Sequence, residues 1–157
     1  MIAIINSGGA NIASVQFALE RLGVGSVLTD DVNVIRSADK VVLPGVGAAP
    51  VAMQSLASSG LIDCIRTLEQ PVLGICLGMQ LLFSHSAEGD TPLLGLFDAT
   101  CTAFTPSSHR SVPHMGWNQL VFAQDHPLLT GVDNGAHVYF VHSYFAPVST
   151  QTVAKCS

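Results

Sequence analysis

The alternation of short apolar runs with helical patterns in the first 76 residues constrains the fold more than any other feature of the sequence. Ile2 to Ile5 is a continuous apolar run, as in a strand that is buried on both faces. Further strand-like runs follow at residues 27–29, 40–43 and 72–75, and helical patterns separate them at 12–22, 30–36 and 50–69, the last interrupted at Ser59-Gly60. Because successive parallel strands need crossover connections, this order predicts an α/β fold with a mostly parallel, doubly wound sheet.

The first helical pattern has residues suited to both of its ends. Apolar residues from Ile12 to Leu22 recur at the spacing of one helical face. Asn11 can cap the amino end, and Gly23 stands where helices commonly end in a left-handed residue. We therefore interpret Asn11 first as a helix cap, with contact to a partner protein as the second hypothesis.

The pattern changes after about Glu88. Strand-like runs dominate at residues 100–104, 118–122 and 138–145, and their connections contain prolines and glycines. These runs predict antiparallel strands added at one edge of the sheet. Because neither a linker nor a repeat interrupts the sequence, we expect residues 1–157 to form a single domain.

The composition argues against several classes of protein. Hydrophobic residues make up 48% and charged residues 11% of the chain, yet no apolar run approaches the ~18 residues that a membrane span needs. The amino-terminal run lacks the basic flank of a signal peptide, so we expect a cytoplasmic protein. A net charge of −5 with only six Lys and Arg residues argues against nucleic-acid binding. We expect a chain with so few charged residues to have exposed apolar surface that a protein partner covers.

Metals, disulfides and cofactors are not expected. The four cysteines show neither paired metal spacing nor a secretory context. His109 and His114 stand five residues apart, with no matching cysteine or carboxylate cluster. Ser7-Gly8-Gly9-Ala10-Asn11 lacks the glycine spacing of a dinucleotide-binding turn, so we interpret it as structural.

The most informative stretch is Gly74-Ile75-Cys76-Leu77-Gly78, which follows a strand-like run and precedes a helical pattern. This is the cysteine form of a nucleophile elbow, a strained strand-to-helix turn that lifts the nucleophile out of the sheet. A helix amino end at Cys76 favours thiolate over thiol, and the Leu77 N–H would face the oxyanion formed on an attacked carbonyl. The alternative is a buried cysteine at a tight helix–strand crossing, but the strand and helix patterns on either side favour chemistry.

These residues closely resemble the nucleophile motif of the class I, triad-type glutamine amidotransferases. Pro44-Gly45-Val46-Gly47 resembles that family's oxyanion strand. Pro113-His114-Met115-Gly116-Trp117-Asn118 and Tyr139-Phe140-Val141-His142-Ser143-Tyr144 resemble the signatures of one branch, the glutaminase subunits of imidazole glycerol phosphate synthase in histidine biosynthesis. The resemblance extends over residues 1–157 and implies a flavodoxin-like glutaminase fold.

The resemblance also implies a reaction and a partner. Glutamine is hydrolysed to glutamate and ammonia through a glutamyl thioester on Cys76, and the ammonia passes to a (β/α)8-barrel cyclase subunit that makes imidazole glycerol phosphate. The N–H groups of Val46 and Leu77 form the oxyanion hole, the former after a peptide reorientation that partner binding promotes and the flanking glycines permit. The positions implied to hold the substrate are Gly45, Gly47, Gln80, Ser143 and Tyr144.

Each of these positions also has a purely structural interpretation. Pro44-Gly45 can be a simple strand-ending turn, and an exposed helical glutamine at position 80 would need no function. Ser143 and Tyr144 can serve only the hydrogen bonding of a sheet. Trp117, the only tryptophan, is as well suited to the core as to an interface with a partner.

A general base is missing from the printed sequence. Cysteine attack needs a proton acceptor, usually a histidine oriented by an acid, and the family supplies both from a His-Pro-Glu motif near its carboxyl end. No His-Pro-Glu occurs in residues 1–157, and none of the six histidines has a suitable place. We therefore expect that the carboxyl-terminal segment is absent and that this chain alone has little or no glutaminase activity.

Two other functions stay open. Another triad-type glutaminase, serving pyridoxal phosphate, anthranilate or nucleotide synthesis, is disfavoured by the two branch signatures. A non-catalytic module that docks on the cyclase without making ammonia is favoured by the absence of the His-Glu pair.

Overall fold

The computed structural model describes residues 1–7, 12–108 and 111–156. They form two compact units, Met1–Cys101 and Thr102–Ser157. The single domain expected for residues 1–157 stays a prediction. In the part of the chain that is described, none of the helices has the length and apolar character needed to cross a membrane.

A parallel sheet organises the first unit. Its strands are β1 (Ile2–Ile5), β2 (Ser26–Thr29), β3 (Lys40–Gly45) and β4 (Val72–Cys76). Their order across the sheet is β2-β1-β3-β4, so the direction of winding reverses between β1 and β3. In doubly wound sheets, such a reversal opens a crevice outside the carboxyl ends of the strands. The register places Gly45 opposite Cys76, at the carboxyl ends of β3 and β4.

Five helices connect these strands or follow them within the described residues of this unit. They are α1 (Ile12–Arg21), α2 (Val32–Ser37), α3 (Ala49–Ser58), α4 (Leu61–Arg66) and α5 (Leu77–Gln80). The Asp31 carboxylate accepts the Asn33 N–H at 2.8 Å and caps α2. Gly23 has a φ of +69° two residues after the last residue of α1, which confirms the predicted helix end. Asn11, the predicted cap of α1, lies outside the described residues.

The core of the first unit is apolar. Strand β1 is buried from Ala3 to Ile5, which confirms the strand predicted from its continuous apolar run. The other large side chains that are fully buried in this core are Ile35, Leu43, Leu56, Leu61, Ile65, Leu81 and Leu94. Each such side chain contributes roughly 1.5–3 kcal/mol on burial, so this core is the main stabilising element of the unit.

The helix predicted after Cys76 is present and only four residues long. Helix α5 ends at Gln80, and the chain continues into β5 (Phe83–Ser86), β6 (Thr91–Pro92) and β7 (Phe97–Ala103). The carbonyl groups of residues 81–83, which a longer helix would use internally, accept N–H groups from residues 94–97 instead. A long-range pairing therefore replaces the helical hydrogen bonds.

The second unit is built from short antiparallel pairs. It contains β8 (His114–Gln119), β9 (Val121–Phe122), β10 (His137–His142), β11 (Tyr144–Phe145) and β12 (Ala154–Lys155). Strand β8 pairs with β10, β9 with β12, and β11 with Thr102–Ala103 at the end of β7. The antiparallel strands are therefore present as predicted, but in the described residues they pair outside the parallel sheet and not along its edge.

Candidate active site

Cys76 occupies a strained turn between β4 and α5. Its φ of 55° and ψ of −121° lie in a region that residues with side chains rarely adopt. Holding such a backbone costs on the order of 1–3 kcal/mol, and the surrounding structure must supply that energy. The side chain is exposed, so the thiol is available to a substrate. The geometry is that of the predicted nucleophile elbow.

The glycines on both sides of Cys76 permit close backbone packing. A Cβ atom at Gly78 would lie 1.9 Å from the Leu43 carbonyl oxygen, and one at Gly74 would lie 2.5 Å from the Met79 Cα. Both distances are shorter than any real van der Waals contact. Helix α5 can therefore approach strands β3 and β4 only because these two positions have no side chain.

The end of β3 lies directly beside the elbow. Gly45 is the register partner of Cys76, and a Cβ atom at Gly45 would lie 2.5 Å from the Gly78 nitrogen. Val46 and Leu77, the two predicted oxyanion donors, are each the next residue after this pair. The described structure thus brings Gly45, Val46, Cys76 and Leu77 together at the carboxyl edge of the sheet.

The segment after Gly45 has room to move. Gly47 has a φ of +91°, and no atom lies within 4 Å of the place where its Cβ would be. The Val46 side chain is 45% exposed. Gly47 can therefore adopt backbone conformations closed to other residues, and the reorientation of the Val46 peptide stays a prediction.

Gln80 is buried, which contradicts the interpretation of an exposed glutamine without a function. Its side chain is 7% exposed, at the last position of α5. The Cys101 thiol donates a weak hydrogen bond to the Gln80 carbonyl at 3.9 Å. Burial raises the pKa of Cys101 to about 11, so this thiol stays protonated and does not compete with Cys76 as a nucleophile.

Two further polar side chains, neither of them among the site residues predicted from the sequence, contact the backbone of residues 44–49. The Ser7 hydroxyl donates to the Pro44 carbonyl at 2.9 Å, and a Glu88 carboxylate oxygen accepts the Ala49 N–H at 2.7 Å. A signal for Ser7 was its place just after a buried strand, where the crevice of a doubly wound sheet lies. A signal for Glu88 was the lack of any capping side chain at Ala48, before α3.

The remaining predicted substrate positions belong to the second unit. The Ser143 carbonyl accepts the Phe104 N–H at 2.9 Å, and a ring nitrogen of His142, Nδ1, lies 2.9 Å from the Tyr144 carbonyl oxygen. The backbone of both residues therefore serves the sheet. A contact of Ser143 or Tyr144 with substrate stays a prediction.

Trp117 is exposed, which contradicts its interpretation as a core residue. It is 68% exposed, and its ring centroid lies 5.4 Å from that of Tyr139, its partner across β8 and β10. Met115 (62% exposed) and Val141 (51% exposed) form the neighbouring pair on the same face. We call these four side chains, Met115, Trp117, Tyr139 and Val141, the Trp117 face.

The described histidines and acids do not form a metal site. Within residues 1–7, 12–108 and 111–156, no group of three or more His, Cys, Asp or Glu side chains is placed to hold a metal ion. His85, at 2.9 Å from the Asp90 carboxylate, lies on strand β5 and not on a helix that continues from Cys76.

The fold and the strained turn together define an α/β protein with a candidate cysteine nucleophile at the carboxyl edge of a parallel sheet. The sequence profile described as glutamine amidotransferase class-I matches residues 3–156, so the chain belongs to that family. Within it, the chain is 52% identical over 155 residues to the imidazole glycerol phosphate synthase subunit HisH of Xanthomonas axonopodis pv. citri, covering 99% of this chain and 78% of the relative. It is 51% identical to the subunit of the same name from Xylella fastidiosa, with the same coverage.

Solved structures with low sequence identity share the fold. A glutamine amidotransferase structure superimposes with a TM-score of 0.74 at 14% identity, covering 98% of this chain and 79% of the other. A putative GMP synthase component from Thermoplasma acidophilum gives 0.70 at 20% identity, covering 99% and 72%. These two similarities support the α/β architecture with its mostly parallel sheet.

Proposed function

We propose that this chain is the glutaminase subunit of an imidazole glycerol phosphate synthase in histidine biosynthesis. It hydrolyses L-glutamine to glutamate and ammonia, and the ammonia passes to a cyclase subunit. The observation that carries this proposal is the pairing of Gly45 with the strained Cys76, in a chain 52% identical to HisH subunits. We also propose that the reaction takes place in the cytoplasm, on the similarity to HisH subunits.

Cys76 is the nucleophile of the proposed reaction. Its thiolate attacks the carboxamide carbon, a C–S bond forms, and the carbonyl oxygen becomes an oxyanion that the N–H groups of Val46 and Leu77 bind. When the oxyanion collapses, the C–N bond breaks. The nitrogen leaves as ammonia after taking up the proton that the general base had removed from the thiol. Water then attacks the thioester, releasing glutamate and regenerating the thiol.

Five positions are proposed to hold the glutamine: Gly45, Gly47, Gln80, Ser143 and Tyr144. Gly45 and Gly47 suit this role because backbone without side chains permits a substrate to approach closely. Gln80 suits it because a buried amide close to Cys76 along α5 can bind the polar groups of an amino acid. Ser143 and Tyr144 are proposed on the family motif that they match.

The general base is proposed to come from the family's His-Pro-Glu motif. That motif does not occur in residues 1–157. We therefore propose that a polypeptide of these residues alone forms the thioester slowly, because nothing removes the thiol proton efficiently; general base catalysis contributes roughly 10²–10⁴-fold.

The Trp117 face is proposed to bind the (β/α)8-barrel cyclase. Four large apolar side chains, each more than half exposed, form one continuous strip on β8 and β10. Exposed apolar patches of this kind mark protein interfaces, and tryptophan and tyrosine are enriched among the residues that dominate binding. Asn11 is a further proposed contact, on the family resemblance alone.

The nucleophile is tested by labelling with a glutamine analogue that carries a chloroketone. We expect one adduct per chain, on Cys76, and none in a Cys76→Ser variant; intact-mass and peptide-mass measurements locate it. Protection by free L-glutamine shows that the label enters the substrate site. Adducts on all cysteines alike, without protection, would contradict a glutaminase site.

The partner is tested with the cyclase encoded in the same genome. Trp117→Ala is expected to weaken the complex at least about tenfold in calorimetry, because a central aromatic residue commonly contributes about 2 kcal/mol or more. Leu128→Ala, which removes a similarly exposed apolar side chain outside the Trp117 face, is the matched control. Tight cyclase binding without any Cys76 labelling would favour the non-catalytic docking module instead.

A further inference from the structure

Two side chains hold the backbone on either side of the Val46 peptide. On the amino-terminal side, the Ser7 hydroxyl donates to the Pro44 carbonyl at 2.9 Å, in a buried position. On the carboxyl-terminal side, the Glu88 carboxylate accepts the Ala49 N–H at 2.7 Å. Four residues, 45–48, lie between these two hydrogen bonds, and they include the proposed oxyanion donor.

The Ser7 bond fixes one peptide plane. Because a peptide unit is planar, holding the Pro44 carbonyl oxygen also fixes the N–H of Gly45. Gly45 is in addition wedged against the Gly78 backbone. The peptide between Gly45 and Val46, which carries the Val46 N–H, is therefore the first one that can rotate.

The Glu88 bond fixes the other end. Ala48 is the N-cap residue of α3 and has no side chain that can cap, so the Glu88 carboxylate takes that place. Glu88 is itself held, because its N–H donates to the buried Ser86 hydroxyl at 3.1 Å and its carbonyl accepts the Thr91 hydroxyl at 2.7 Å. A hydrogen-bonded turn thus caps the helix that begins directly after residues 45–48.

We propose that Ser7 and Glu88 are positioning residues for the oxyanion hole. They confine backbone rotation to residues 45–48 and so set the direction in which the Val46 N–H points. The proposal rests on the proposed glutaminase function and deepens it. Because both residues act through the backbone of residues 45–48, they affect the rate of attack on bound substrate more than the affinity for glutamine, to which Gln80, Ser143 and Tyr144 also contribute.

The anchoring is tested by amide hydrogen exchange in the full chain without ligand. Ser7→Ala and Glu88→Ala are expected to speed exchange in residues 45–49 about fivefold or more, as local opening becomes easier, while β1 and β4 keep their protection. Ser7→Thr and Glu88→Gln retain a donor and an acceptor and are expected to restore slow exchange. Unchanged exchange in both alanine variants would overturn the proposal.

Matched controls separate anchoring from general loss of a hydrogen bond or a charge. Ser84→Ala removes a hydroxyl that donates to the Ala99 carbonyl, also at 2.9 Å. Glu69→Ala removes an exposed carboxylate. Neither is expected to change exchange in residues 45–49, and an effect equal to that of the Ser7 and Glu88 variants would contradict a specific role.

The functional part is tested by the concentration dependence of Cys76 labelling with the glutamine chloroketone. In the alanine variants we expect the maximal labelling rate to fall about tenfold, because a misaimed N–H polarises the ketone of the label less and so activates less the neighbouring carbon from which the thiolate displaces chloride. The half-saturating concentration should change by less than about threefold, because only two of the five proposed substrate positions, Gly45 and Gly47, lie in the loosened segment. A rise in the half-saturating concentration alone would make these side chains substrate contacts and overturn the positioning role. If the native chain is not labelled at all, the proposed function fails, and the exchange experiment still decides the anchors.

Discussion

The two units of the chain differ in how they bury apolar side chains. Among the described residues, every buried side chain belongs to Met1–Cys101. The side chains of residues 102–108 and 111–156 are half-buried or exposed. A parallel sheet with helices has an interior, whereas a two-stranded ribbon has two surfaces and encloses nothing. The contrast follows from architecture, since apolar residues are common in both units.

This difference separates the chemistry from the recognition surface. The first unit has the packing energy to hold Cys76 in a strained conformation, which costs on the order of 1–3 kcal/mol. The second unit exposes its apolar residues on the Trp117 face, where they are available to a partner. Four measurements sharpen this contrast: one compares the two units directly, and three test the packing and capping of the first unit against controls within it.

The largest effect is expected from Gly78→Ala. Its Cβ would lie 1.9 Å from the Leu43 carbonyl oxygen, a backbone atom that cannot move aside without breaking the sheet. We expect a loss of about 4 kcal/mol or more in the free energy of unfolding, measured by urea titration. Gly25→Ala is the control, because nothing lies within 4 Å of its Cβ position. A similar loss in both variants would mean that α5 does not pack as described.

A core truncation should show the next largest effect. Leu56 is fully buried in the first unit, so Leu56→Ala is expected to cost about 2–5 kcal/mol in urea unfolding. Leu128, in the second unit, is 59% exposed, and Leu128→Ala is expected to change stability by less than about 0.5 kcal/mol. Equal losses would break the contrast between the two units.

Thiol reactivity gives a third comparison. Because burial raises the pKa of Cys101 from 9.0 to about 11, its thiolate fraction at pH 8 falls about 100-fold, and we expect alkylation by iodoacetamide at least that much slower than in urea. Exposed Cys76 should react in the native chain, as mass mapping of the adducts will show. The raised pKa favours the protonated folded state, so its contribution to stability is complete below pH 9 and is lost as the pH rises towards 11. Rapid native alkylation of Cys101 would contradict its burial.

The smallest effect is expected at a helix cap. The Asp31 carboxylate accepts the Asn33 N–H, and Asp31→Ala should cost about 1 kcal/mol in urea unfolding. Asp30→Ala, which removes the same charge one residue earlier, should cost less than about 0.5 kcal/mol because Asp31 still caps α2. Equal losses of stability in the two variants would mean that the negative charge, and not the hydrogen bond to Asn33, stabilises α2.

Local features were readable from the sequence because their causes are local. The apolar run of β1, the helix end at Gly23, and the interruption at Ser59-Gly60 between α3 and α4 all depend on residues within one helical turn or one strand. The cysteine turn belongs to the same class, since its glycines and flanking patterns are contiguous. The first unit was therefore predicted more closely than the second.

Only the tertiary structure decided the features that join distant residues. The Ser7 hydroxyl bonds the Pro44 carbonyl, 37 residues away in the sequence, and the Glu88 carboxylate bonds the Ala49 N–H, 39 residues away. No local sequence pattern pairs these residues. The end of α5 at Gln80 also depends on distant residues, because the carbonyls of residues 81–83 accept N–H groups from residues 94–97. The burial of Gln80 and the exposure of Trp117 are likewise decided by the tertiary structure. Periodicity states which residues can share a face, but burial depends on what packs against that face, and the whole fold determines this.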